Sequence, residues 1–115
     1  MKRFAYLLFA LTLSVNALAQ GQTTPEAVKK WVIEESKEGG TIDFFTSIKG
    51  SEKDPIQLDT GEFTTNLGLA LSNWGMAIHE AGVVSVDDAL AIYKTIKGAD
   101  LDESEVKSIT KGFGQ

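Results

Sequence analysis

Residues 67–81 read Leu-Gly-Leu-Ala-Leu-Ser-Asn-Trp-Gly-Met-Ala-Ile-His-Glu-Ala, and this stretch decides the fold. Leu67, Leu71, Trp74 and Ile78 recur at i, i+4, i+7 and i+11, the stripe of a helix that buries one face. The pattern reaches back to about Glu62, so one long helix is expected over 62–81. Asp59 or Thr60 is its expected N-cap and Gly82 its stop. At about 100° per residue, Phe63, Leu67, Leu71, Trp74, Ile78 and Ala81 fall on one side and form the core stripe.

The far side of the same helix holds Leu69 and Met76, seven apart and stacked two turns from each other. Asn66, Asn73 and Glu80 form a polar row on one flank, and Thr65, Ser72 and His79 a row on the other. Two readings stand. Either the helix is central and buried all round, or Leu69 and Met76 are the apolar centre of a partner-binding surface rimmed by Ser72, Asn73 and His79. Gly68, Gly75 and Gly82 also repeat by seven. Glycine costs a helix ~1 kcal/mol relative to alanine. Three on one line therefore point to a groove where another backbone comes close.

Working outward, Thr24-Pro25-Glu26 opens a helix with a hydroxyl cap, proline in the first turn and an acid at the positive end of the dipole. Ala27, Val28, Trp31 and Val32 are its apolar positions, and Gly39-Gly40 its expected left-handed stop. Thr41–Lys49 alternates Ile42, Phe44, Thr46 and Ile48. It is read as a short helix, with a short strand near residues 42–48 as the alternative. Residues 50–61, polar and containing Pro55, read as an exposed loop into which Ile56 and Leu58 tuck back. Ser85 and Asp88 open the next helix, which carries Val86, Ala89, Leu90, Tyr93 and Ile96 and ends at Gly98. Asp102 and Glu105 open the last, with Val106 and Ile109, stopped at Gly112. Short linkers make sequential helices neighbours. The expected fold is all-α, a compact bundle of four or five short helices.

The N-terminus has a different character. Lys2 and Arg3 precede an apolar run from Phe4 to Val15, broken only by Thr12 and Ser14, and Ala17-Leu18-Ala19 follows. Two cations, an apolar run too short to span a bilayer and small residues at the −3 and −1 positions make a secretory signal peptide over residues 1–19. Residues 20–115 are then the mature chain, one small helical domain that is periplasmic or secreted. The formal charge is −5, and loss of Lys2 and Arg3 makes the mature chain two charges more acidic. Such a protein repels nucleic acid and anionic membrane and favours a basic protein partner. The chain has no cysteine, so neither a disulfide staple nor thiol chemistry is available to it.

Catalytic and metal signatures fail residue by residue. His79 is the single histidine, and Val83 stands where a zinc-protease helix needs its second. His79 and Glu80, adjacent on a helix, do not converge. Asp100, Asp102, Glu103 and Glu105 suggest a calcium loop. However, Glu105 falls where that loop needs glycine and Lys111 where it needs glutamate. An acidic helix start explains the cluster. Glu34-Glu35 and Asp87-Asp88 lack the cleft that a carboxylate pair needs for glycoside hydrolysis. Glu26/Lys30, Lys30/Glu34 and Glu103/Lys107 are expected to pair along helices.

No cofactor, metal or enzymatic activity is expected. The reading is an exported protein that binds another protein, of inhibitor, immunity or accessory type, with self-association open. The alternative is a carrier of a small apolar ligand, its inter-helix pocket lined by Trp31, Trp74 and Tyr93. Cleavage after Ala19 predicts that the intact mass of the exported protein lacks residues 1–19 and that its N-terminus is Gln20. A full-length product retained in the membrane would refute the signal.

Overall fold

A computed structural model describes residues 24–114. The expected signal peptide, its cleavage point and the polar leader through residue 23 lie outside the described residues. The order of elements is α1 (Pro25–Glu35), a single 3-10 turn (Thr46–Ile48), β1 (Pro55–Gln57), β2 (Phe63–Thr65), α2 (Asn66–Ala81), α3 (Val86–Lys97) and α4 (Glu103–Gly112). The fold is mostly helical, with one two-stranded antiparallel sheet.

Helix starts follow local chemistry. Thr24 Oγ1 accepts from the Ala27 N–H at 3.1 Å, and Ser85 Oγ from Asp88 at 3.1 Å. Asp102 and Glu105 make a reciprocal capping box, each carboxylate accepting the other's backbone N–H, at 2.9 and 2.8 Å. Gly98 ends α3 in the left-handed region at φ 75°. Gly82 ends α2 at φ 122°, and there Val83 N–H reaches back to the Ile78 carbonyl at 3.0 Å, a Schellman-type closure.

Three expectations are corrected. The long helix starts at Asn66, capped by Thr65 Oγ1 at 3.0 Å from Gly68 N, and not by Asp59 or Thr60. Residues 63–65 are strand instead, and Phe63, assigned to the core stripe, is 73% exposed. The rest of the stripe is inside: Leu71, Trp74, Ile78 and Ala81 are buried and Leu67 packs partly against them.

Residues 42–48 form no strand, and the short helix read there is reduced to the 3-10 turn Thr46–Ile48; β1 lies in the segment read as loop and β2 at the expected start of the long helix. Asp43 explains the first part. Its carboxylate takes the N–H groups of Phe45 and Thr46 on one oxygen and Gly39 on the other, at 3.1, 3.0 and 3.0 Å. Those donors are then lost to a strand ladder. The second part follows from Leu58-Asp59-Thr60-Gly61. Gly61 N–H closes a turn on the Leu58 carbonyl at 2.9 Å, and Gly61 adopts φ 91°, the glycine position of a three-residue hairpin loop. Pro55 pairs with Thr65, Ile56 with Thr64 and Gln57 with Phe63.

The third correction is at Gly39-Gly40. Helix α1 already ends at Glu35, with Ser36 as a right-handed cap. Gly39 supplies a positive φ of 84° in the following turn, and Gly40 lies against the Glu35 carbonyl, where a Cβ would collide.

The core is centred on Trp74, which is 0% exposed. Phe45 and Tyr93 flank its ring with tilted contacts, centroids 6.4 and 5.5 Å away. Val32, Ile42, Leu71, Ile78 and Ile109 are the other large side chains that are fully buried. The indole N–H donates to Ser36 Oγ at 2.9 Å, and that hydroxyl donates to the Val32 carbonyl at 2.6 Å. Trp74→Ala is expected to cost ~3–5 kcal/mol, because it leaves a large cavity and strands Ser36. Urea titration measures it; a loss below ~1 kcal/mol would show that the core does not depend on the indole.

Candidate partner-binding face

Helices α2 and α4 lie against each other with almost no side chain between them. A Cβ at Gly75 would sit 2.8 Å from the Ile109 carbonyl oxygen, and one at Gly112 would collide with the Ser72 carbonyl. A Cβ at Gly68 would strike Thr64 Oγ1. Of the glycine line read from the sequence, Gly75 alone meets another backbone, in an intramolecular seam joined from the other side by Gly112, while Gly68 is closed off by the Thr64 side chain. Gly82 has another role, the positive-φ end of α2.

With α4 against the glycine flank and the core against the Trp74 stripe, the opposite face of α2 is left open. Leu69 is 37% exposed and Met76 51% exposed. Asn73, between them along the helix, is exposed. Ser72 and His79 are not a free rim. Ser72 is half-buried and donates its hydroxyl to the Ser108 carbonyl at 3.1 Å. His79 is exposed, but its ring stacks on Phe113 with centroids 4.5 Å apart and planes at 17°. The structure thus groups Leu69, Asn73 and Met76 on the open face and turns Ser72 and His79 toward the α4 seam.

Two grooves flank this framework. One, of about 400 Å³, runs between the hairpin, the start of α2 and α4; Leu58, Phe63, Leu67 and Leu69 line its apolar side and Lys107 and Lys111 its polar side. The other, of about 340 Å³, lies between the starts of α1 and α3, beside Val84, which is 83% exposed. Neither is lined by Trp31, Trp74 or Tyr93. Trp74 and Tyr93 are core, and Trp31 is partly buried against it. Phe63 and Val84 are exposed apolar residues outside the predicted site. Helical periodicity placed Phe63 inside and gave no signal for a residue in a linker.

Charges settle differently from the expected helical pairs. Glu26/Lys30, Lys30/Glu34 and Glu103/Lys107 do not close among the described residues; the ion pairs are Glu34–Lys37, Lys94–Asp100, Lys97–Glu105 and Glu62–Lys111. Glu105 is buried and shared between Lys97 Nζ at 2.7 Å and the Asp102 N–H at 2.8 Å, so the capping box also ties α3 to α4. Burial, then the nearby Glu105 and Asp102 carboxylates, push the Tyr93 phenol up to about 12, so it stays neutral at physiological pH. Among the described residues no group of three or more acids and histidines converges as a metal site.

Comparison with protein-family models, with curated proteins and with solved structures finds no match for this chain.

Asp43 gives the fold a defined acid limb. Partial burial raises its pKa. Hydrogen bonds from the Thr46 side chain and from the Thr46, Gly39 and Phe45 N–H groups outweigh that and hold it below the ordinary value of 3.8. A depressed folded pKa contributes stability above the unfolded value, and that stability is lost as pH falls through the folded one. Asp43→Asn is therefore expected to melt below the wild type at neutral pH, with the gap narrowing below about pH 4. Melting curves across that range check it; a gap independent of pH would remove the carboxylate from the account.

Proposed function

We propose that this chain is an exported, non-enzymatic protein that acts by binding another protein through the outward face of α2. The observation that carries the reading is the exposure of Leu69 and Met76 on a helix whose opposite stripe is buried from Leu71 to Ala81. Burying large apolar side chains is favourable, and the fold leaves these two unburied while Trp74, Leu71 and Ile78 satisfy the core. A partner that covers them recovers that free energy. Asn73 supplies a polar contact between the two anchors, and Glu80 borders the patch on the side away from the α4 seam.

Compartment and charge complete the proposal. The first residues support export, and among the described residues no helix is long and apolar enough to cross a membrane. The net charge, −5 for the full chain and two charges more negative without Lys2 and Arg3, supports a basic partner, drawn in by long-range attraction and then held by the apolar anchors. Close packing of Trp74 and Tyr93 with Phe45 supports protein binding over the carrier alternative, since these aromatics fill the core and do not border a cavity.

The test is the double variant Leu69→Gln/Met76→Gln. Its melting temperature should stay close to wild type, because exposed substitutions usually change stability by no more than ~0.5 kcal/mol. Affinity for a partner captured from the envelope by the wild-type protein should fall sharply, since central apolar anchors typically contribute ~2 kcal/mol or more each. A folded double variant with undiminished affinity would exclude this face.

A further inference from the structure

Sulfur is scarce in this chain. Its two sulfur atoms are those of Met1 and Met76, and it has no cysteine. Met1 belongs to the segment proposed for removal on export, which leaves Met76 as the one sulfur of the mature chain. The fold does not shelter it. Met76 is 51% exposed and stands outside the core cluster, one turn of α2 from Asn73 and two turns from Leu69. The oxidisable rings at the centre of the core are enclosed instead. Trp74 is fully buried with its N–H held by Ser36, and Tyr93 is buried beside it. A peroxide therefore meets the accessible thioether of Met76 before either ring.

We infer that Met76 is a reversible oxidation site, whose conversion to methionine sulfoxide by a peroxide weakens partner binding; this rests on the α2 face being the binding surface. A sulfur lone pair attacks one peroxide oxygen. An S–O bond forms, the O–O bond breaks, and the second oxygen leaves as water with both peroxide hydrogens. Sulfur gives up two electrons and the peroxide takes them. The product carries a strong hydrogen-bond acceptor where an apolar side chain stood. In the free protein that oxygen is hydrated, because Met76 is exposed. In the complex it is pressed against the apolar surface that covers Leu69 and Met76, stripped of the water that solvates it. The fold is thus indifferent to the change and the interface is not. Leu69 keeps its own anchor contact, so binding weakens and is not abolished. With no cysteine, the chain has no thiol to compete for the peroxide or to reverse the step. Reversal falls to a separate thiol-dependent sulfoxide reductase, which removes the oxygen as water while two of its thiols become a disulfide.

The test treats the folded exported protein with hydrogen peroxide beside Met76→Leu, and removes the peroxide with catalase before any binding measurement. Peptide mapping should place one added oxygen on Met76 of the wild type, and its melting temperature should stay close to that of the untreated protein. Retention on a phenyl matrix should fall on oxidation, recover with methionine sulfoxide reductase and dithiothreitol, and stay constant for Met76→Leu. Affinity for the partner captured by the wild type should fall about tenfold or more on oxidation, whereas Met76→Leu should bind equally before and after treatment. A Met76 that takes up no oxygen in the folded protein, an oxidised form that melts far below the untreated one, phenyl retention that ignores oxidation, or undiminished affinity of the sulfoxide form would each overturn the proposal. The double variant Leu69→Gln/Met76→Gln separates the two readings. If it loses the partner while the sulfoxide form keeps it, the α2 face stands and the oxidation site alone falls; if it keeps the partner, both fall.

Discussion

A buried indole must find a partner for its N–H, and in this protein that requirement ties together the two ends of the core. Trp74 reaches across to Ser36, and Ser36 passes the bond to the Val32 carbonyl at the last turn of α1. The arrangement fixes α1 against α2 at one point, where a purely apolar contact could slide. It also gives the Ser36 hydroxyl, buried at the end of a helix, a donor and an acceptor. Phe45 and Tyr93 then close around the ring, so the irregular segment after α1 and the third helix are positioned by the same side chain. With no disulfide available, a shared aromatic centre is how a chain this short holds four helices in one arrangement.

The second constraint is the α2–α4 seam. Gly75 and Gly112 let the two backbones touch, at a cost in helix propensity that the close contact offsets. The seam has a consequence for function. A helix gripped on one flank by its neighbour's backbone and on another by the core needs nothing on its remaining side. Leu69 and Met76 are left outside by geometry and not by a failure of packing. The same seam draws Ser72 and His79 away from the open face, so recognition there falls on the two apolar anchors and Asn73.

The hairpin and the α2 face differ in chemistry but border one groove, which Phe63 and Leu69 both line. The α2 face offers side chains on a rigid helix, suited to an apolar anchor pocket on a partner. The hairpin offers backbone groups at a strand edge. An exposed ion pair from Lys111 to Glu62 links the hairpin to α4.

Local rules in the sequence determined the helices and their caps. Thr24, Ser85, Asp102 and Gly98 act within a few residues of themselves, so spacing alone reveals them. The buried stripe Leu71, Trp74 and Ile78 was legible for the same reason, and so was the close backbone approach at Gly75. Tertiary structure decided the rest. Periodicity could not tell Phe63 in a strand from Phe63 one turn before a helix, because a single residue fits either pattern. Alternation at 42–48 resembled a strand, yet a strand needs a partner, and the Asp43 carboxylate had already taken the donors. Whether Leu69 and Met76 face water depends on where α4 lies. A helical wheel gives directions around one axis and carries no record of what stands in them.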